Sequence, residues 1–151
     1  MPLINEVLIT QKFKMKAKLL LGATLLFFIA SFTACKKQDE ATKPLRAKML
    51  GKWQVNKIDV TIAGSATVST SYAANDYMDF KDNTNDDFEL SLGSNRSVGS
   101  YSSTIDNNFY LDFSSKDLDC VVTTITPNQF QFTGTVVGSN PKQTETYFLS
   151  R

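Results

Sequence analysis

Few side chains in this sequence are of a type that could do chemistry, and their spacing excludes most catalytic designs. There is no histidine, which removes the usual general base and the commonest neutral metal ligand. The only two cysteines, Cys35 and Cys120, stand far apart. Cys120 lies in the apolar stretch DCVVTTI, where a thiol acts as a small buried hydrophobe. No serine or cysteine has a visible base partner, and no glycine-rich phosphate loop follows a strand pattern. Paired carboxylates can cleave a glycosidic bond, but Asp79, Glu89 and Asp112 alternate with apolar residues and are expected on solvent-facing sides. In DNTNDD (82–87), Asp82, Thr84 and Asp86 alternate like the first ligands of a calcium-binding loop. Asp87 then stands where such a loop needs glycine, and Gly93 where it needs a bidentate glutamate. A hairpin turn accounts for the same residues. No enzymatic activity, cofactor or metal is expected.

Charge is spread unevenly. Residues 1–34 carry Lys12, Lys14, Lys16 and Lys18 against Glu6 alone, a net of +3, and the remainder is net −2. A body with that balance offers no basic face for nucleic acid. The leader has the pattern of a secretory signal, with Lys12 to Lys18 as its positive region. The uncharged apolar run LLLGATLLFFIASF (19–32) follows, too short for a comfortable membrane span of about 20 residues. Met15, followed by KAKLLLG, makes a more typical signal start than Met1 and is a candidate true start.

Phe32-Thr33-Ala34-Cys35 resembles the lipobox of bacterial lipoproteins, with Phe32 in place of the family's usual leucine. The resemblance implies a thioether-linked diacylglyceryl group on Cys35, cleavage just before it, and acylation of its new amino group. One acyl chain binds a membrane marginally; two or three hold stably. A lipidated Cys35 leaves Cys120 without a partner, so no intramolecular disulfide is expected even in an oxidising compartment. In the following KKQDE, Lys36 stands directly after the cysteine, where an aspartate retains lipoproteins at the inner membrane in some bacteria. The run resembles the short Lys-plus-acidic signals of surface-exposed lipoproteins, and reads equally as a solvated linker. The expected location is the outer membrane of a Gram-negative bacterium, in the periplasmic or the surface-exposed leaflet. The expected partner is that membrane, reached through acyl chains on Cys35, and no protein partner is specified.

Three segments must position these groups. Residues 1–34 form the signal, 35–48 the lipidated cysteine and a polar tether, and 49–151 a β domain. Where the tether meets the domain, LRAKML (45–50) has the length and pattern of one helical turn. From Trp53 onward, nine short β-rich runs are separated by Gly, Asn, Asp, Ser and Pro. Their short connections favour antiparallel neighbours. Alternation assigns the inward faces: Met78 and Phe80; Phe88, Leu90 and Leu92; Phe109, Leu111 and Phe113; Phe130 and Phe132. In the first run the apolar phase shifts from Trp53 and Val55 to Ile58, Val60 and Ile62, which predicts a β-bulge near Asn56-Lys57. The expected fold is all-β, an up-and-down antiparallel meander of about eight or nine strands whose edges close into a barrel.

Gly51-Lys52-Trp53 at the start of the first strand resembles the Gly-x-Trp signature of lipocalins. The chain from LGKW through YMDFKDN to YFLSR (about 45–151) resembles the small lipocalin-like domains of bacterial lipoproteins. That resemblance implies that Trp53 crosses the closed end of the barrel with an arginine from a late strand stacked on it. Arg151 is the candidate, and Arg96 the other option inside the domain. The body is shorter than a typical lipocalin and shows no C-terminal helix. An interior of this size is either filled by side chains or holds one small ligand. Two functions follow. In one, Met78, Phe80, Phe88, Leu90, Phe109, Leu111, Phe113, Phe130 and Phe132 line a site for a small apolar or amphipathic ligand. In the other, the same residues fill the barrel, and its outer surface and loops bind an envelope component or an extracellular polymer.

Overall fold

A computed structural model describes residues 39–104 and 106–151. The signal segment and Cys35 lie outside the described residues. Asp39–Arg151 forms one compact unit that contains the whole buried apolar cluster, and a unit closing its own core can fold alone.

Nine strands follow a single 3-10 turn at Glu40–Thr42 and the short helix α1 (Leu45–Met49): β1 (Gly51–Ile62), β2 (Val68–Ser71), β3 (Tyr77–Phe80), β4 (Asp87–Leu92), β5 (Asn95–Ser103), β6 (Asn108–Phe113), β7 (Asp117–Ile125), β8 (Gln129–Val136) and β9 (Gln143–Ser150). From β3 to β9 each strand pairs antiparallel with the next, and β1 pairs with both β3 and β9. Eight strands therefore close on themselves, which removes the sheet edges. The ninth, β2, pairs with β1 alone, over Lys57–Val60, and all its residues are exposed.

The predicted bulge is present: the β1–β9 register shifts between Val55 and Lys57. One extra residue there turns both Trp53 and Val55 below it, and Ile58 and Val60 above it, to the same interior. Without the extra residue, a strict period of two would send one pair outward.

The stretch read as a tether belongs in part to the domain. Leu45 and Met49, one helical turn apart, are both buried in the barrel core. Arg46 holds α1 to the β3–β4 turn, donating to Asp86 at 2.7 Å and to Asp82 at 3.1 Å. The apolar stripe of one short turn caps the barrel end, because burying Leu45 and Met49 there removes both side chains from water, each worth about 1.5–3 kcal/mol when fully buried.

Strands β5 and β6 approach closely at Gly99, where an added Cβ would run into the Asp112 carbonyl and the Phe88 ring. Gly99→Ala is expected to cost about 1–3 kcal/mol through overpacking, read as a lower urea midpoint with an unchanged slope. An unchanged midpoint would mean that the wall can yield there.

Candidate functional site

Inside the barrel, alternation brings together all nine residues considered for a ligand site. Met78, Leu111, Phe130 and Phe132 have no exposed surface, and Phe80, Phe88, Phe109, Phe113 and Leu90 have little. Their partners are each other. Phe130 lies 5.4 Å from Trp53, 6.0 Å from both Phe80 and Phe109, and 5.1 Å from Phe132, centroid to centroid. Phe132 stacks on Tyr147 at 4.7 Å, and Phe88 meets Phe113 edge-on at 4.7 Å. These spacings are those of contacting rings, so the residues form a packed core.

The two ends of this core are closed by different chemistry. At the α1 end, the Trp53 indole donates to the Met49 carbonyl at 2.7 Å. The Arg151 guanidinium lies 3.6 Å from the Trp53 ring centroid and donates to the Leu50 carbonyl. Gly51, at φ 94°, makes the entry turn, a conformation that favours glycine. Arg96, the other arginine considered, sits on the outer wall.

At the opposite end an inward carboxylate takes the place of a ring. Glu145 is 3% exposed and accepts both Lys116 Nζ contacts, at 2.5 and 2.6 Å, together with Tyr147 Oη at 2.7 Å and Gln143 Nε2 at 3.1 Å. Burial and the adjacent carboxylate push the Tyr147 phenol well up from its ordinary value. Neither Glu145 nor Lys116 was among the sequence candidates. The signal was available for Glu145, since in TETYFLSR it shares the parity of Tyr147 and Leu149. Lys116 comes from a turn, where alternation carries no information. Cys120 is a free, buried thiol near this cluster, and burial pushes its pKa up, away from nucleophilic character.

On the outer wall, β3, β4 and β5 frame an open cavity of about 690 Å³. Glu89 faces outward, as its parity requires, yet is only 7% exposed. It was assigned to solvent, but long neighbouring side chains cover it. Arg96 donates to it at 2.6 Å and Tyr77 at 2.5 Å. These two hydrogen bonds, Arg96 first, lower its pKa to about 2. Lys81 pairs with Asp79 on the same wall. Val98, 55% exposed, supplies an apolar strip between these charges. The arrangement can offer fixed donors, acceptors and one apolar contact to a polar chain lying across the strands.

The turn that resembled a calcium loop is engaged otherwise: Asp82 and Asp86 hold Arg46, and Asn83 exchanges hydrogen bonds with Asp87. Among the described residues, no group of three or more acidic or thiol side chains is placed to hold a metal.

Two measurements test these clusters. Glu89 has a folded pKa of about 2, below its ordinary 4.5, so the unfolded chain takes up its proton first as pH falls. Its stabilising contribution is complete above about 4.5 and lost through about 2. Glu89→Gln is therefore expected to flatten the fall of stability between pH 5 and pH 2 in urea titrations; an unaltered acid slope would refute the assignment. Lys116→Met leaves a buried carboxylate unpaired and is expected to cost about 3 kcal/mol. Adding Glu145→Gln to it should recover most of that loss in a double-mutant cycle.

Comparison with known protein families and with characterised proteins finds no match.

Proposed function

We propose that this protein is a lipid-anchored envelope lipoprotein whose filled, lipocalin-like barrel is an interaction module, binding an envelope component or an extracellular polymer through its outer surface. The observation that carries this reading is the ring-on-ring packing of Phe130, Phe132, Phe109 and Phe80. A ligand entering the barrel would have to displace those contacts, each buried phenylalanine being worth about 1.5–3 kcal/mol. Recognition then falls to the wall, where the Glu89–Arg96–Tyr77 network and Val98 make a fixed polar surface with an apolar strip. Such a surface suits a hydroxyl- and amide-rich chain better than a hydrocarbon. The anchor rests on the Phe32–Cys35 sequence and the apolar run before it.

The test has two arms. The soluble domain, residues 36–151, is purified without detergent, incubated with envelope lipids and extracted with organic solvent for mass spectrometry. A blank extract is expected; a stoichiometric lipid would overturn the filled-barrel reading in favour of a carrier. In cells, metabolic labelling with an alkyne fatty acid should mark the wild-type chain and leave Cys35→Ser unlabelled. Equal labelling of both, or of neither, would remove the anchor.

A further inference from the structure

We propose that the outer edge of β2 pairs antiparallel with β2 of a second copy of this chain, joining two barrels through one continuous sheet. This interface is independent of the acylated Cys35 and of the Glu89 wall.

Among the described strands, β2 alone is bonded on a single side. Its four residues are all exposed, and Val68 is 64% exposed. The main chain shows which groups are open. Tyr72 N–H donates to the Asn56 carbonyl at 3.0 Å, and successive residues of an antiparallel strand turn their main-chain groups to opposite sides. Thr70 and Val68 therefore turn theirs toward β1, opposite Ile58 and Val60, while Ser69 and Ser71 turn theirs outward. The outward side ends at Ala73, whose N–H donates to Asp76 Oδ2 at 2.7 Å. Between these limits the N–H and C=O groups of Ser69 and Ser71 have the spacing that an added strand takes.

The sequence of the edge selects the occupant. Sheet edges are ordinarily guarded by charge, proline or a bulge, yet SATVSTSYAAN (65–75) contains neither a charged residue nor a proline. A two-fold axis at Thr70 sets Ser69 of each copy opposite Ser71 of the other, so the outward groups of both serines are met in both copies. Thr70 then faces Thr70, and Val68 of each copy faces Tyr72 of the other. Hydroxyl against hydroxyl and β-branched against aromatic are favourable cross-strand pairs. Tyr72 is only partly buried against the core, which leaves part of its ring for the exposed Val68. A two-fold interface sets the same patch against itself, so a charged edge would oppose its own charge. This edge has none to oppose.

The domain of residues 39–151 serves for the test, because it closes its own core and begins after Cys35. Cys120 is buried, so Thr70→Cys supplies the accessible thiol. Opposed residues at a non-hydrogen-bonded antiparallel position lie about 4.5 Å apart, Cα to Cα, a separation that a disulfide spans. With glutathione disulfide as oxidant, Thr70→Cys is expected to form a covalent dimer at least about tenfold faster than Val121→Cys, because pairing holds the two thiols at a raised effective concentration. Val121 is an exposed strand residue on another part of the wall. Equal rates would reduce the reaction to random collision and overturn the proposal.

Register is read in the same Thr70→Cys background. Ser69→Lys with Ser71→Lys sets lysine against lysine at both flanking pairs and is expected to slow dimer formation about fivefold. Ser69→Lys with Ser71→Glu sets lysine against glutamate and should retain the rate. Residues 39–151 carry 10 basic and 14 acidic side chains, a net of −4. Two added lysines therefore lower the overall repulsion between copies, and a slowing has to come from the local pairs. Circular dichroism confirms that every variant is folded. If the two double variants dimerise at the same rate, the strands do not meet in this register and the proposal fails.

Discussion

Phe130 is the point on which the packing converges, its ring touching those of Trp53, Phe80, Phe109 and Phe132. Those partners come from β1, β3, β6 and from β8 itself, so one side chain ties together distant parts of the barrel wall. The contacts are individually small and collectively large, and those with Trp53 and Phe80 join β8 to β1 and β3 across the closed barrel. Closure and filling therefore support one another. A half-open sheet would expose the rings, and a hollow barrel would deprive them of one another.

Because the middle is filled by rings, polar groups are confined to the ends and the outside. The two ends solve the same problem of buried polarity in different ways. At the α1 end the donors of Trp53 and Arg151 are met by main-chain carbonyls just before β1. At the other end a carboxylate points inward and is met by a lysine, a tyrosine and a glutamine. The first arrangement needs only a short helix at the barrel end. The second depends on a turn lysine, itself partly exposed, and is the more vulnerable to a single substitution, since a lone buried carboxylate is costly.

The outer wall is more ordered than its composition suggests. Lys52 lies 3.6 Å from the Tyr77 ring centroid and Lys57 lies 4.1 Å from that of Phe148, so lysine stems shield rings that alternation sends outward. The same covering turns Glu89 from a solvated carboxylate into a held one. A wall built in this way presents a defined pattern of charge rather than a mobile fringe, which is what recognition of a polar partner requires.

Strand number, antiparallel order, the bulge near Asn56 and the inward set from Met78 to Phe132 were legible in the sequence. Each depends on a local period of two and on turn residues that any stretch of chain displays by itself. The same parity would have placed Glu145 inward. What alternation could not supply was distance. That Glu89 is covered by Arg96 and Tyr77, that Lys116 reaches Glu145 from a turn, and that Arg46 pins α1 to Asp82 and Asp86 all join residues far apart in sequence. Only tertiary structure decided whether the aromatic side chains fill the barrel or line a cavity. The inward list is the same in both cases, and the outcome depends on the register and shear with which the eight strands close.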